Sequence, residues 1–416
     1  MILTKHYEIQ SCDDIELDIK RENKLEFKVY FDDEKQIKDI FIFIAGLGED
    51  NDEEYIKHLS EFLVKEYNVA VLSVDYHCIG SRPQTGAKFY FDMIDRLIIQ
   101  SACEALKIKV PQELSQDELT QADIKRVFND LSAQMQMLKD AKELKEDAKL
   151  YIHASLNPRK NEYQNFGLMQ AMDICNALLH IKANPPFELA KEAKTIAFGS
   201  SHGGYLALLC AKIAPWLIDG VIENSAYIQI PLRLFGFLKE LDYITQAEFS
   251  LHSWYQHLVI SGSTKTHFTS NQYSKNHFKN AYHRIRNILD DEHLRTQALH
   301  KKPLIVSYHS AQDFDFIPPS VKIELFEKLR NLGFKAKLIM IEDESEVDGK
   351  FIKNLNHGMG MSLKILAQKE LGLMLAQLHE KTNSAKIKQE ISFQSDEIIY
   401  TFTQENNALK LSIQRT

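Results

Sequence analysis

No stretch of this 416-residue chain approaches the ~18 consecutive apolar residues that a bilayer span needs. The opening Met1-Ile-Leu-Thr-Lys-His-Tyr-Glu also lacks the uninterrupted apolar segment of a secretory leader. The expectation is a cytoplasmic protein without a membrane span. Cysteine is scarce: Cys12, Cys78, Cys103, Cys175 and Cys210 are odd in number and lack metal-ligand spacing. That argues against a disulfide framework and against a zinc site, and leaves reduced, mostly buried thiols as the expectation. Excess positive charge is missing too, since 50 Lys and Arg face 58 Asp and Glu for a net charge of −8, with no long basic cluster. A nucleic-acid footprint is therefore absent, and polyanions are poor candidate partners. Neither an internal repeat nor a low-complexity linker is present.

What the chain does carry is length enough for one large catalytic domain with insertions, or for two domains. His6–Gln10, Ile15–Arg21 and Leu25–Phe31 alternate apolar and polar residues, as half-buried antiparallel strands do. From Asp39 the pattern becomes short continuous apolar runs, Ile40–Ala45, Val69–Val74, Thr195–Phe198, Gly220–Ile222, Pro303–Tyr308 and Ala336–Ile341, separated by helical periodicity. Such runs predict parallel strands covered on both faces, an α/β architecture. Two long segments interrupt it. The first, residues 85–165, reads as mainly helical, with a capping-box pattern at Ser115-x-x-Glu118 ahead of Ile124, Val127, Phe128, Leu131, Met135 and Leu138. The second, residues 228–302, concentrates aromatics and imidazoles, among them His252, Trp254 and Tyr255, and is expected to form a lid with a polar, protease-sensitive stretch between His257 and Lys279. Residues 1–379 thus form the main domain, and 386–416, with three alternating segments, a small C-terminal β appendage.

The chemistry concentrates at Gly199-x-Ser201-x-Gly203, which lies between an apolar strand and a helical segment. The bare five-residue pattern arises often by chance, but strand, tight turn and helix together describe a nucleophile elbow. A serine in that turn sits in strained backbone geometry, so small neighbours such as Gly199 and Gly203 are needed. A serine hydroxyl also needs a base oriented by a carboxylate, in the chain order Ser, acid, His. Asp313 follows the strand ending at Tyr308 at a His-x-x-x-Asp spacing, with Asp315 as its rival, and His357 falls after the last main strand beside Gly358. The oxyanion hole is expected from the backbone N–H of His202 and of Leu47, the latter in the loop Ala45-Gly46-Leu47-Gly48. The His202 imidazole is a lesser candidate for substrate contact. No cofactor and no metal ligand set is expected.

Gly199-Ser-Ser-His-Gly-Gly204, Gln312-Asp-Phe-Asp315 and Asn356-His-Gly-Met359, in this order, resemble the α/β-hydrolase superfamily over about Lys38 to His379. More narrowly, the chain resembles the DUF2920 family of Campylobacter and Helicobacter relatives, some of which lie near flagellin-glycosylation genes. The resemblance implies a serine hydrolase of the esterase kind acting on a small acyl ester, with O-acylated sugars as a substrate class. Ala45-Gly46 stands where many lipases and esterases carry His-Gly, so lipase-like specificity is not implied. An acyltransferase or serine peptidase on the same triad, and an inactive hydrolase-like binding protein, are the alternatives.

Overall fold

The computed structural model describes residues 1–51, 54–239, 251–380 and 388–416, with 251–254 in backbone only. The chain forms two compact units, and the larger comprises Met1–Ile79, Asn165–Ile230 and Phe278–Thr416. Its main sheet has eight strands: β1 (Ile2–Ile9), β2 (Leu25–Asp32), β3 (Asp39–Ile44), β4 (Val69–Asp75), β5 (Thr195–Ser200), β6 (Gly220–Asn224), β7 (Leu304–Ser310) and β8 (Ala336–Ile341). Their spatial order is β1-β2-β4-β3-β5-β6-β7-β8. The first two strands pair antiparallel, β2 meets β4 antiparallel, and every later neighbour is parallel. The continuous apolar runs map onto this parallel part because both of its faces are covered: all six residues of β3 and all five of β6 are buried.

Helices α1 (Glu54–Tyr67), α2 (Leu168–Ala183), α3 (His202–Ile213), α4 (Asn280–Arg286), α5 (Asp291–Ala298), α6 (Pro319–Asn331) and α7 (Leu363–His379) complete the unit together with a three-stranded antiparallel sheet. That strand order with its crossover helices is the α/β-hydrolase fold. The small C-terminal sheet packs into the same unit rather than hanging from it: Phe393, Tyr400 and Phe402 are fully buried. The Tyr400 hydroxyl donates to Glu16 Oε1 (2.8 Å), and Glu16 in turn holds the buried Arg286 guanidinium through Nη1 at 2.8 Å. The boundary at 386 lies outside the described residues.

One expected strand is absent. Residues 15–18 form a turn closed by an Asp14–Ile19 bridge, because the Asp14 carboxylate accepts the N–H groups of Glu16 (3.1 Å) and Leu17 (3.2 Å). A short polar side chain that captures nearby amides competes with strand pairing.

The second unit comprises Gly80–Gln164 and Pro231–His277, so it draws on both insertions. Segment 85–165 carries two long helices and also two strands. Lys88–Tyr90 and Leu150–Asn157 are strands, and Leu150–Asn157 pairs parallel with Leu258–Thr264 in a four-stranded sheet. Alternating Leu150, Ile152 and Ala154 face a cluster with Ile99, Val127 and Leu131 from the helices Met93–Leu106 and Gln121–Asp140. The capping box of the latter helix is Thr120 with Asp123, whose carboxylate accepts the Thr120 N–H at 2.8 Å, and not Ser115 with Glu118. Ser115 ends a short 3₁₀ turn instead.

Segment 228–302 divides as well. Residues 278–302 belong to the larger unit, where Phe278 and Tyr282 are core. Leu258, Val259 and Ile260 are buried in a paired strand, so the first residues of the stretch between His257 and Lys279 are packed. The side chains of His252 and Trp254 lie outside the described residues. Among the described residues, no helix is long and apolar enough to cross a membrane, and no group of three or more His, Cys, Asp or Glu could hold a metal ion.

Candidate active site

Ser201 sits between the end of β5 and the start of α3 with φ 53° and ψ −118°. For a non-glycine residue this is costly backbone geometry, of the kind that persists only where the surroundings enforce it. The enforcement is steric. A Cβ on Gly199 would lie 2.4 Å from the Gly203 carbonyl carbon, and one on Gly203 would lie 2.2 Å from Ile44 O. Glycine at both positions lets the turn close on itself and lets α3 press against the strand end of β3.

The Ser201 hydroxyl lies 2.8 Å from His357 Nε2, and His357 Nδ1 lies 2.6 Å from Asp313 Oδ2. Asp313 is buried and Asp315 is exposed. Phe314 and Phe316 do not share one environment around Asp315. Asp313 N–H donates back to Ser310 O (3.3 Å), so the chain turns and is not extended, leaving Phe314 68% exposed. Phe316 instead lies against the imidazole, with ring centroids 4.6 Å apart.

The loop that carries His357 is clamped from β6. Asn224 Nδ2 donates to Gly358 O (2.9 Å), and Gly358 N–H donates to Ser225 Oγ (3.2 Å), so both polar groups flanking Gly358 are held by adjacent residues of one turn. Ser310 Oγ adds a bond to Leu355 O at 2.6 Å from the end of β7. These contacts fix the direction from which the imidazole enters.

Leu47 is half-buried in the loop after β3. Tyr76 Oη donates to Ala45 O (2.8 Å) and Gly46 O (3.3 Å), which ties down the carbonyls of that loop, while Gly46 N–H donates to Glu49 Oε2 at 2.5 Å. His202 opens α3, and first-turn amides have no acceptor within the helix. The His202 side chain turns inward. Its Nε2 is 3.0 Å from Gln170 Oε1, and burial pushes its pKa down to about 3, so the ring is neutral and enclosed, which removes it as a substrate contact.

Sequence reasoning passed over Asn224, Ser225 and Tyr227. Tyr227 Oη is 3.1 Å from Ser201 Oγ, and its ring stacks on that of His357 with centroids 5.8 Å apart and planes 12° from parallel. The available signal was position alone, because residues just past the carboxyl end of a parallel strand face the site in such sheets.

Comparison with known proteins gives the following. The family model described as "Protein of unknown function (DUF2920)" matches residues 5–413. No curated protein matches the sequence. Among solved structures, an acylaminoacyl peptidase of Pyrococcus horikoshii is similar at 12% identity and a TM-score of 0.47, over 92% of this chain and 42% of its own. This chain therefore spans less than half of that enzyme. Est1E of Butyrivibrio proteoclasticus, solved with ferulic acid, is similar at 12% identity and a TM-score of 0.41, over 86% and 96% of the two chains. An esterase of Thermogutta terrifontis matches at 13% identity and a TM-score of 0.40, over 86% and 88%.

Proposed function

Since the chain belongs to the DUF2920 family and folds as an α/β-hydrolase, we propose that it is a serine hydrolase cleaving small acyl esters, with O-acylated carbohydrate as the substrate class. One observation carries the reading: a serine in strained elbow geometry, 2.8 Å from an imidazole whose far nitrogen is 2.6 Å from a buried carboxylate.

In this mechanism Asp313 accepts a hydrogen bond from His357 Nδ1–H, which leaves Nε2 as the acceptor for the Ser201 proton. Ser201 Oγ attacks the acyl carbon as its proton passes to Nε2. The carbonyl π electrons move onto oxygen, and that oxyanion takes hydrogen bonds from the amides of His202 and Leu47. Collapse expels the alcohol, which takes the proton from Nε2. Water, deprotonated by the same imidazole, then attacks the acyl carbon, the bond to Oγ breaks, and Ser201 takes the proton back from Nε2 as the acid leaves.

The test is labelling with a fluorophosphonate probe. Modification of Ser201, lost in Ser201→Ala together with p-nitrophenyl acetate hydrolysis, is the expected result. Unlabelled wild-type protein, or a Ser201→Ala variant that still turns over, overturns the assignment.

A further inference from the structure

We infer that Tyr227 is a further catalytic residue, a side-chain donor whose hydroxyl follows negative charge from Ser201 Oγ to the oxyanion; this rests on the serine-hydrolase reading. Proton counting sets the direction of the contact. Ser201 has one hydroxyl proton, and His357 Nε2 at 2.8 Å accepts it because Asp313 holds the imidazole proton on Nδ1. The Ser201 hydroxyl is also directed at Tyr227 Oη, 3.1 Å away, which accepts at rest; once the proton passes to Nε2, the same contact is kept only with the phenol as donor. A donor aimed at the nucleophile stabilises Oγ as its proton leaves.

Attack places the carbonyl oxygen two bonds from Oγ, through the tetrahedral carbon, and on this reading the same hydroxyl turns toward it. The phenol keeps its proton throughout. It supplies a hydrogen bond to charge that exists only along the reaction path, which is the kind of interaction that raises turnover rather than affinity.

The way Tyr227 is held argues for a function beyond packing. Ser225 sits at φ 51°, a second strained residue two positions before it. The turn is pinned from beneath: Ala226 N–H donates to Glu223 Oε2 (2.9 Å), Lys322 Nζ donates to Glu223 Oε1 (2.6 Å) and to Ala226 O (3.2 Å). Both Lys322 and Glu223 are fully buried. A buried ion pair is a poor source of stability, because desolvation consumes most of its attraction. Here its geometric result is a rigid turn that puts the phenol against the nucleophile and lays the ring flat on the base.

Tyr227→Phe keeps the ring and removes only the hydroxyl. Loss of one oxyanion donor typically lowers kcat by about 10²-fold. The expected result is a fall in kcat of about that order with KM unchanged, and a parallel fall in affinity for a trifluoromethyl ketone, whose adduct with Ser201 carries the oxyanion. Thermal melting monitors folding, and Tyr227→Met, also without a hydroxyl, serves as the second variant. A kcat equal to wild type in a folded variant, or a loss confined to KM, overturns the inference while leaving the hydrolase reading intact. A wild-type protein that no fluorophosphonate labels overturns both.

Discussion

His357 Nδ1 stands 2.6 Å from Asp313 Oδ2, and the exposed Asp315, two residues further along the same loop, takes no part in that contact. The asymmetry makes a sharp expectation. Asp313→Asn leaves the imidazole in the wrong tautomer, and the same change in serine proteases lowers turnover about 10⁴-fold. Asp315→Asn retains near-normal turnover. Ester hydrolysis by the two variants decides it, and the reverse ranking would reassign the acid.

Gly203 admits no side chain, since a Cβ there would lie 2.2 Å from Ile44 O, a backbone atom of a buried strand. Gly203→Val is expected to lose folding or all activity, because either β3 or the elbow must move. Circular dichroism melts with an ester assay check this; a stable, fully active variant contradicts the close approach.

The Lys322–Glu223 pair is predicted to behave asymmetrically. Lys322→Met alone leaves a buried carboxylate without its cation, at a cost of about 3–5 kcal/mol. The double variant Lys322→Met with Glu223→Gln recovers part of that stability, since no charge is left buried. Denaturant unfolding of the single and double variants measures the difference.

Acid should destabilise the larger unit through three enclosed histidines. Burial pushes His202 and His293 down to about 3 and His309 down to about 4, with Lys212 beside His293 and Lys322 near His309 adding to the effect. The unfolded chain binds these protons near the ordinary histidine value of about 6.5, whereas the folded chain does not. Stability is therefore fully present above about pH 6.5 and falls as pH drops toward 4. Melting temperature measured from pH 7 to pH 4 is expected to decline, and His293→Asn to flatten the decline. A level profile would mean that these rings are solvated.

Residues within one short stretch determined much of the site without any structure. The strained serine at 201 follows from Gly199 and Gly203, because the steric demand of a tight strand-to-helix turn is local. The parallel strands were readable for a similar reason: a strand buried on both faces is apolar along its whole length. Chain order then placed His357 and the Asp313–Asp315 loop after the right strands.

Only the tertiary structure decided what depends on residues distant in sequence. The pairing of Leu150 with Leu258, which joins both insertions in one sheet, leaves no mark in either segment, since alternation specifies a face and never a partner. That Asp313 and not Asp315 lies against His357 goes with a backbone bond to Ser310 that turns the loop, which the two carboxylates' spacing does not reveal. Tyr227 carries no mark of its own in the sequence; its hydroxyl lies beside Ser201 in a turn that Glu223 and Lys322, 99 residues apart, brace together. Charge and burial act through space, so their consequences appear only when the fold has brought the groups together.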